Sequence, residues 1–227
     1  MEERRPVQPT TRAATATQGT TTLDPSAAKV LRNTYALLAM TIAFSAITAT
    51  FSMAINMPFM GLWMLLPYFG LLFAIHKTQN SVWGIVWTFA LTGFMGLTIG
   101  PILNAYIAMG GMEPVVMALG GTALIFFGLS AYTLITKKDF SFMTGFLFIG
   151  IIVAFVAAIA NFFLQISALA TTVSVMFLVL ASGLIMWQTS AIVHGGERNY
   201  VNATVTLFVM LYNVFLSLLH LIGIGND

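Results

Sequence analysis

The sequence contains no cysteine, and only 7% of its residues are charged. Without cysteine there is no disulfide framework, no thiolate metal site and no cysteine nucleophile. A soluble domain carries about 25% charged residues to cover its water-facing surface. Here 59% of the 227 residues are apolar, and the mean hydropathy is +0.93. This composition excludes a soluble globular protein and predicts an integral protein of the lipid bilayer.

The net charge is only +2, so the chain lacks the concentrated basic face that nucleic-acid binding requires. Six charges, seven threonines and three prolines lie within residues 1–28, with few large apolar residues among them. Such a segment buries too little apolar surface to offset its ordering entropy. We therefore predict a disordered tail over residues 1–28, followed by a transmembrane domain over residues 29–227.

Charged residues divide the rest of the chain into long uncharged stretches. A spanning helix needs about 20 apolar residues. The stretch between Arg32 and Lys77 has 44 residues and the one between Asp139 and Glu197 has 57, so each can hold two spans. Each of the other three stretches holds one. The sequence predicts an all-α membrane protein with seven spans, at residues 31–55, 59–75, 82–107, 115–136, 142–164, 169–193 and 200–224.

The basic residues predict the orientation. With seven spans, all nine Lys and Arg residues, in the tail and in three loops, fall on one side of the membrane. Basic residues are retained on the cytoplasmic side. We predict a cytoplasmic N-terminus and a C-terminus on the opposite side.

Small residues recur in the third predicted span, where Gly93, Gly96 and Gly100 are spaced for close helix packing. Pro101 follows directly and removes a backbone hydrogen bond, which predicts a kink or a break in the helix. A kink that serves packing and a break that lines a substrate path both remain open.

No predicted span contains Asp or Glu. Proton-coupled transport and calcium conduction usually depend on intramembrane acids, so both mechanisms lack their usual groups. The spans also lack paired acids, a His-Glu-x-x-His motif and a Ser-His arrangement at one depth. We predict a protein that is not an enzyme and that uses no cofactor or metal.

Uncharged polar residues form a stripe in the seventh span. At 100° per residue, five side chains fall within about 60° of one another: Asn202, Thr206, Asn213, Ser217 and His220. The stripe favours either hydrogen bonds between helices or a hydrated path along the helix. Gln188 is a similarly isolated amide in span six.

The chain resembles the Bax inhibitor-1 (transmembrane BAX inhibitor motif) family from about Lys29 to the C-terminus. The resemblance is carried by residues 29–35, 100–104, 117–123, 161–165 and 194–197, which read KVLRNTY, GPILN, MALGGTA, NFFLQ and HGGE. It implies six helices arranged around a central seventh. Similarity to bacterial members also implies an inner-membrane location and a partner, the membrane-bound ATP-dependent protease FtsH.

One departure from the family pattern concerns mechanism. Channel-like members use two aspartates as the pH sensor of a calcium leak, one in span six and one in span seven. By this resemblance the two positions are occupied here by Gln188 and Met210, while the family asparagine persists as Asn213. Neither Gln188 nor Met210 exchanges a proton near neutral pH. The resemblance therefore does not carry the calcium leak over to this chain.

The leading hypothesis is a non-enzymatic regulator that binds FtsH, slows its action on other membrane substrates and is itself a substrate entered through the tail. A tail of 28 residues has a root-mean-square reach of roughly 30 Å, enough to reach a protease pore near the membrane. A solvated tail without a partner is the competing interpretation. The alternative functions are an ion leak of the Bax inhibitor-1 type and a structural membrane component. The sequence does not indicate the oligomeric state.

Overall fold

The computed structural model describes residues 24–225, and all regular structure in that range is helical. This confirms the predicted all-α class. Two 3₁₀ turns, Gly61–Met64 and Ser141–Met143, precede the second and fifth α-helices. The α-helices of the described range are α1 (Pro25–Ala54), α2 (Leu65–Thr78), α3 (Val82–Gly110), α4 (Glu113–Thr136), α5 (Thr144–Leu164), α6 (Ser167–Val193) and α7 (Tyr200–Ile224).

Six helical segments of the described range are long and apolar enough to cross a membrane: α1, α3, α4, α5 with its 3₁₀ turn, α6 and α7. The predicted spans are confirmed at these six places. The remaining predicted span, 59–75, corresponds to α2, which has 14 residues. At 1.5 Å per residue α2 measures about 21 Å, less than the hydrocarbon core of about 30 Å.

The first helix begins earlier than the sequence predicts. Asp24 is its N-cap, and the backbone amide and hydroxyl of Ser26 donate to the Asp24 carboxylate at 2.7 and 2.6 Å. These hydrogen bonds, led by the one from the hydroxyl, hold the pKa of Asp24 below its usual value. Pro25 then occupies the first helical turn, where its missing N–H is not needed. Residues 25–28 of the predicted tail are therefore helical, and residues 1–23 lie outside the described range.

Two hydrogen bonds, one between two loops and one between α6 and a loop, bring the basic segments to one end of the bundle. The Asn199 side-chain amide donates to the Gln79 carbonyl oxygen at 3.0 Å, joining the loop before α7 to the loop after α2. The Ser190 hydroxyl donates to the Lys138 carbonyl oxygen at 3.1 Å, joining α6 to the loop after α4. We call this end, where α1 also begins, the basic end; its loops are residues 79–81, 137–140 and 194–199.

The close packing predicted for the glycines of α3 is directed at α1. A Cβ added at Gly96 would collide with the Ser45 carbonyl oxygen and the Thr48 hydroxyl on α1. A Cβ at Gly100 would lie 2.5 Å from the Ser52 hydroxyl oxygen. Only glycine permits α1 and α3 to approach this closely.

Pro101 does not break α3, which is continuous from Val82 to Gly110. Proline at 101 has no N–H to donate to the carbonyl of Leu97, four residues earlier. The Ser52 hydroxyl of α1 donates to that carbonyl oxygen at 2.7 Å. Gly100, Pro101 and Ser52 thus act together, because the glycine admits the serine that satisfies the carbonyl left free by the proline.

The last helix, α7, packs against α1, α3, α4 and α6. Its buried apolar side chains contribute to two clusters, one towards the basic end around Leu207 and Phe208 and one towards the opposite end around Phe215 and Leu219. A third cluster joins α5 to α6 through Leu147, Ala154 and Leu180.

Candidate functional site: the polar side of α7

The predicted polar stripe lies along the less buried side of α7. Of its five members only Ser217 is buried, at 4% exposure; the other four are half-buried: Asn202, Thr206, Asn213 and His220. The fully buried side of the helix instead carries residues such as Ala203, Leu207 and Val214, which fill the apolar clusters. The apolar residues of α7 thus determine which side of the helix faces the core.

Two members of the stripe form hydrogen bonds close to their own helix. The Asn202 side-chain amide donates to the Glu197 carboxylate at 2.6 Å, in the loop just before α7. The Asn213 amide donates to the Val209 carbonyl oxygen one turn earlier, at 2.8 Å. Asn202 and Asn213 thus form hydrogen bonds with groups near them in the sequence, and these bonds do not join α7 to another helix.

Hydrogen bonds between α7 and its neighbours are made mainly by other residues. The Thr204 hydroxyl donates to the Thr34 carbonyl oxygen of α1 at 3.2 Å. The hydroxyls of Tyr212 and Thr98 share a hydrogen bond of 3.2 Å that joins α7 to α3. These contacts were not predicted, because Thr204 and Tyr212 lie outside the stripe and their partners become neighbours only in the fold.

His220 is the stripe member that does join two helices. Its ring Nδ1 lies 3.0 Å from the Tyr106 hydroxyl of α3, near the end of the bundle opposite the basic end. Also at that end, the Asn104 amide donates to the Met53 carbonyl oxygen at 3.1 Å. Hydrogen bonds from polar side chains therefore join helices at this end of the bundle as well.

Gln188 and Met210, which the sequence analysis predicts at the positions of the family aspartate pair, are both buried. Gln188 is 2% exposed on α6 and Met210 is 9% exposed on α7. Met210 belongs to the same apolar cluster as Ile185, which precedes Gln188 by one turn. Neither the Gln188 amide nor the Met210 thioether titrates near neutral pH.

The acidic side chains at the basic end cap helices and loops. The backbone amide of Ser141 donates to the Asp139 carboxylate at 2.8 Å, and this bond, as the largest cause, lowers the pKa of that carboxyl. The Glu197 carboxylate accepts the backbone amide of Asn199, also at 2.8 Å. At the opposite end of the bundle, α4 begins at Glu113. Within residues 24–225 no three His, Asp or Glu side chains are grouped as metal ligands.

The loop residue Asn199 is a structural residue that the sequence reasoning did not single out. Its side-chain carbonyl caps α7 by accepting the amides of Val201 and Asn202 at 2.9 and 3.1 Å. Its side-chain amide reaches Asn80 at 2.8 Å in addition to Gln79. An asparagine directly before an apolar helix is a recognisable N-cap signal.

Comparison with known proteins assigns the chain to a family. Residues 27–227 match the family model described as inhibitor of apoptosis-promoting Bax1. The modulator of FtsH protease YccA of Escherichia coli (strain K12) is 51% identical over 199 residues, which cover 87% of this chain and 91% of that protein. In a second Escherichia coli strain the relative with the same identity and coverage is named inner membrane protein YccA.

A more distant relative gives the same result. An uncharacterized membrane protein of Vibrio cholerae is 46% identical over 202 residues, covering 88% of this chain and 91% of that protein. The match to the family model includes all seven α-helices of the described range apart from the first two residues of α1. The chain is a membrane protein and belongs to the Bax inhibitor-1 family.

Proposed function

We propose that this chain is a non-enzymatic inner-membrane protein that binds the protease FtsH and slows its degradation of other membrane proteins. The observation that carries the proposal is the identity of about half of the aligned residues with a relative named as a modulator of that protease. Three of the four described acids, Asp24, Asp139 and Glu197, cap helices or loops, and this structural use of them supports a role other than catalysis.

The experiment that tests this function compares it with the ion-leak alternative. Raising the cellular level of the chain should slow the clearance of another FtsH membrane substrate. The purified chain in proteoliposomes should show little calcium flux between about pH 6 and 8, because Gln188 and Met210 do not titrate there. An acid-activated calcium leak together with unchanged clearance would reverse the assignment. The double substitution Gln188→Asp, Met210→Asp serves as the control that introduces two carboxyls.

We further propose that the chain crosses the membrane seven times, with α7 central and the basic end in the cytoplasm. α2 together with its 3₁₀ turn measures about 29 Å, close to the thickness of the hydrocarbon core. Gln79, just after α2, is bonded at the basic end, whereas Gly61 in the 3₁₀ turn lies near Phe162 at the far end of α5. These contacts support a crossing by this segment.

A reporter that is active only outside the cytoplasm tests this topology. It should be inactive when fused after Lys77 or after Lys138, and active when fused after Asp227, because basic segments are retained in the cytoplasm. A fusion after Met112, at the opposite end of the bundle, provides the matched active control. Since α3 and α4 are both candidate spans, the fusions after Lys77 and Lys138 should agree with each other whether or not α2 crosses. A fusion after Met57, before α2, tests the crossing of α2: it should be active, and equal activity after Met57 and Lys77 would mean that α2 does not cross. Activity after both Lys77 and Lys138, with none after Met57, would invert the orientation.

A further inference from the structure

Five buried polar atoms have no hydrogen-bond partner within the described part of the chain. His220 Nε2 lies on α7 near the end opposite the basic end, and the other four lie on three other helices. They are Thr34 Oγ1 and Tyr35 OH on α1, Ser130 Oγ on α4 and Gln188 Nε2 on α6. Unpartnered polar groups are rare in folded proteins, because burying one without a partner is costly. Four such atoms in one half of a small bundle therefore require an explanation.

Other hydroxyls of the same helices are satisfied in the ordinary way. Thr133 on α4 donates to the Leu129 carbonyl at 2.9 Å, and Thr189 on α6 donates to the Ile185 carbonyl at 2.8 Å. Ser130 could donate to a carbonyl of the preceding turn in the same manner. Its buried hydroxyl instead remains unpaired, so it is available to a group between the helices.

The three helices that carry these atoms are in contact: α6 packs against both α1 and α4, and α1 meets α4 through an aromatic pair. The rings of Tyr35 and Phe126 are 5.7 Å apart, and Ser130 follows Phe126 by one turn of α4. Tyr35 packs on the apolar cluster that contains both Phe126 and Ile185, and Ile185 precedes Gln188 by about one turn of α6.

Ser130, Gln188 and Thr34 lie at similar distances from the basic end. Ser130 and Gln188 lie roughly 8–9 Å from the basic-end termini of α4 and α6, at 1.5 Å per residue. Thr34 is at the level of Thr204, about one turn into α7 from the same end, because their hydrogen bond joins the two helices.

The chemistry of the four groups matches water. Three hydroxyls can each donate and accept, and the amide N–H₂ donates. None of the four is charged, so an ion bound among them would lack a counter-charge, whereas a water molecule offers two donors and two acceptors. Buried water typically makes about three hydrogen bonds to groups that are otherwise unsatisfied.

We propose that Thr34, Tyr35, Ser130 and Gln188 line an internal hydration site, which holds ordered water between α1, α4 and α6 on the basic-end side of the bundle. The site makes the buried amide at position 188 a partner of bound water. It is separate from the polar stripe of α7, whose Asn202 and Asn213 are bonded locally. The hydration site depends neither on the proposed binding of FtsH nor on the proposed membrane topology.

Hydroxyl-radical labelling of the full chain in lipid nanodiscs detects bound water directly. Radicals formed from water at the site should oxidise Tyr35 several-fold faster than Tyr212, whose hydroxyl is bonded to Thr98. Labelling of Tyr35 should fall to the level of Tyr212 in the variant Gln188→Met, Ser130→Ala, while labelling by bulk water at the exposed Tyr132 stays the same. Equal labelling of Tyr35 in the parent and the variant would overturn the proposal.

The thermal unfolding midpoint gives a second measurement. The substitution Gln188→Met should change it in one direction if the amide is hydrated, but not if the amide is dry. If the amide is hydrated, Gln188→Met deprives the bound water of a partner and should lower the unfolding midpoint by at least about 2 °C. If the amide is dry and unpaired, the same apolar replacement should raise the midpoint or leave it unchanged, which would contradict the site. Thr189→Val is the matched control on the next residue, because the Thr189 hydroxyl bonds only within its own helix.

Discussion

Replacing Ser52 by alanine should lower the stability of the folded bundle, and replacing Pro101 by alanine as well should restore most of the loss. The Ser52 hydroxyl is the group that reaches the Leu97 carbonyl oxygen, at 2.7 Å, in place of the N–H that Pro101 lacks. Removing it leaves a partly buried carbonyl without that partner, which costs about 1–3 kcal/mol. For a domain of this size each kcal/mol corresponds to roughly 2–4 °C in the unfolding midpoint.

The rescue follows from the same geometry. Alanine at 101 supplies an N–H to the Leu97 carbonyl within α3, so the Ser52 hydroxyl is no longer required. The four variants of the cycle, measured by thermal unfolding in detergent or nanodiscs, should show a coupling of about 1 kcal/mol or more between the two positions. Ser174→Ala is the matched control, since the Ser174 hydroxyl donates to the Ala170 carbonyl of its own helix. Additive effects of Ser52→Ala and Pro101→Ala would show that the serine does not replace the missing N–H.

Deleting residues 2–22 should lengthen the lifetime of the chain several-fold in cells that contain FtsH. The proposed reason is that the protease begins at a segment without stable structure, and the composition of the tail predicts such a segment on the proposed cytoplasmic side. The deletion retains Asp24, so the N-cap of α1 and the buried core are intact. Pulse-chase measurement with and without active FtsH gives the two half-lives.

The same variant tests regulation. A chain that still docks but is not degraded would occupy FtsH longer, so other membrane substrates should be cleared more slowly. A tail with the reversed order of residues 2–22 is the matched control: it keeps length and composition, and should be degraded as the parent chain is. Equal half-lives of the parent and the shortened chain in both backgrounds would remove the tail from the mechanism, while leaving the proposed binding of FtsH to its own test.

Composition and charge spacing were sufficient to predict the helical membrane fold. Breaks between uncharged spans were also predictable, as at Gln165, whose left-handed φ of 52° ends α5 where the sequence predicted a break. The predicted span at 59–75 was less accurate, because left-handed residues at Asn56 and Gly61 delay α2 until Leu65. Backbone turns of this kind depend on the backbone angles of single residues, which the apolar content of a segment does not predict.

The observed start of α1 differs from the predicted start for a related reason. Asp24 followed by Pro25 is an N-cap signal, but it lies inside a polar segment whose composition predicted disorder. Two residues at a helix start can outweigh the average of the segment that contains them, since capping satisfies backbone amides that would otherwise lack partners.

The sequence by itself determined that this protein lies in the bilayer, where most of its helices run, and that positions 188 and 210 carry no acid; that the basic residues share one side of the membrane stays a prediction. The tertiary structure alone decided which residues are partners: Ser52 for Leu97, Thr204 for Thr34, and Tyr106 for His220. It also decided that the polar stripe of α7 lies on the less buried side. The physical reason is that hydropathy and helical period depend on each residue and its near neighbours, whereas a hydrogen bond between helices depends on how distant segments pack.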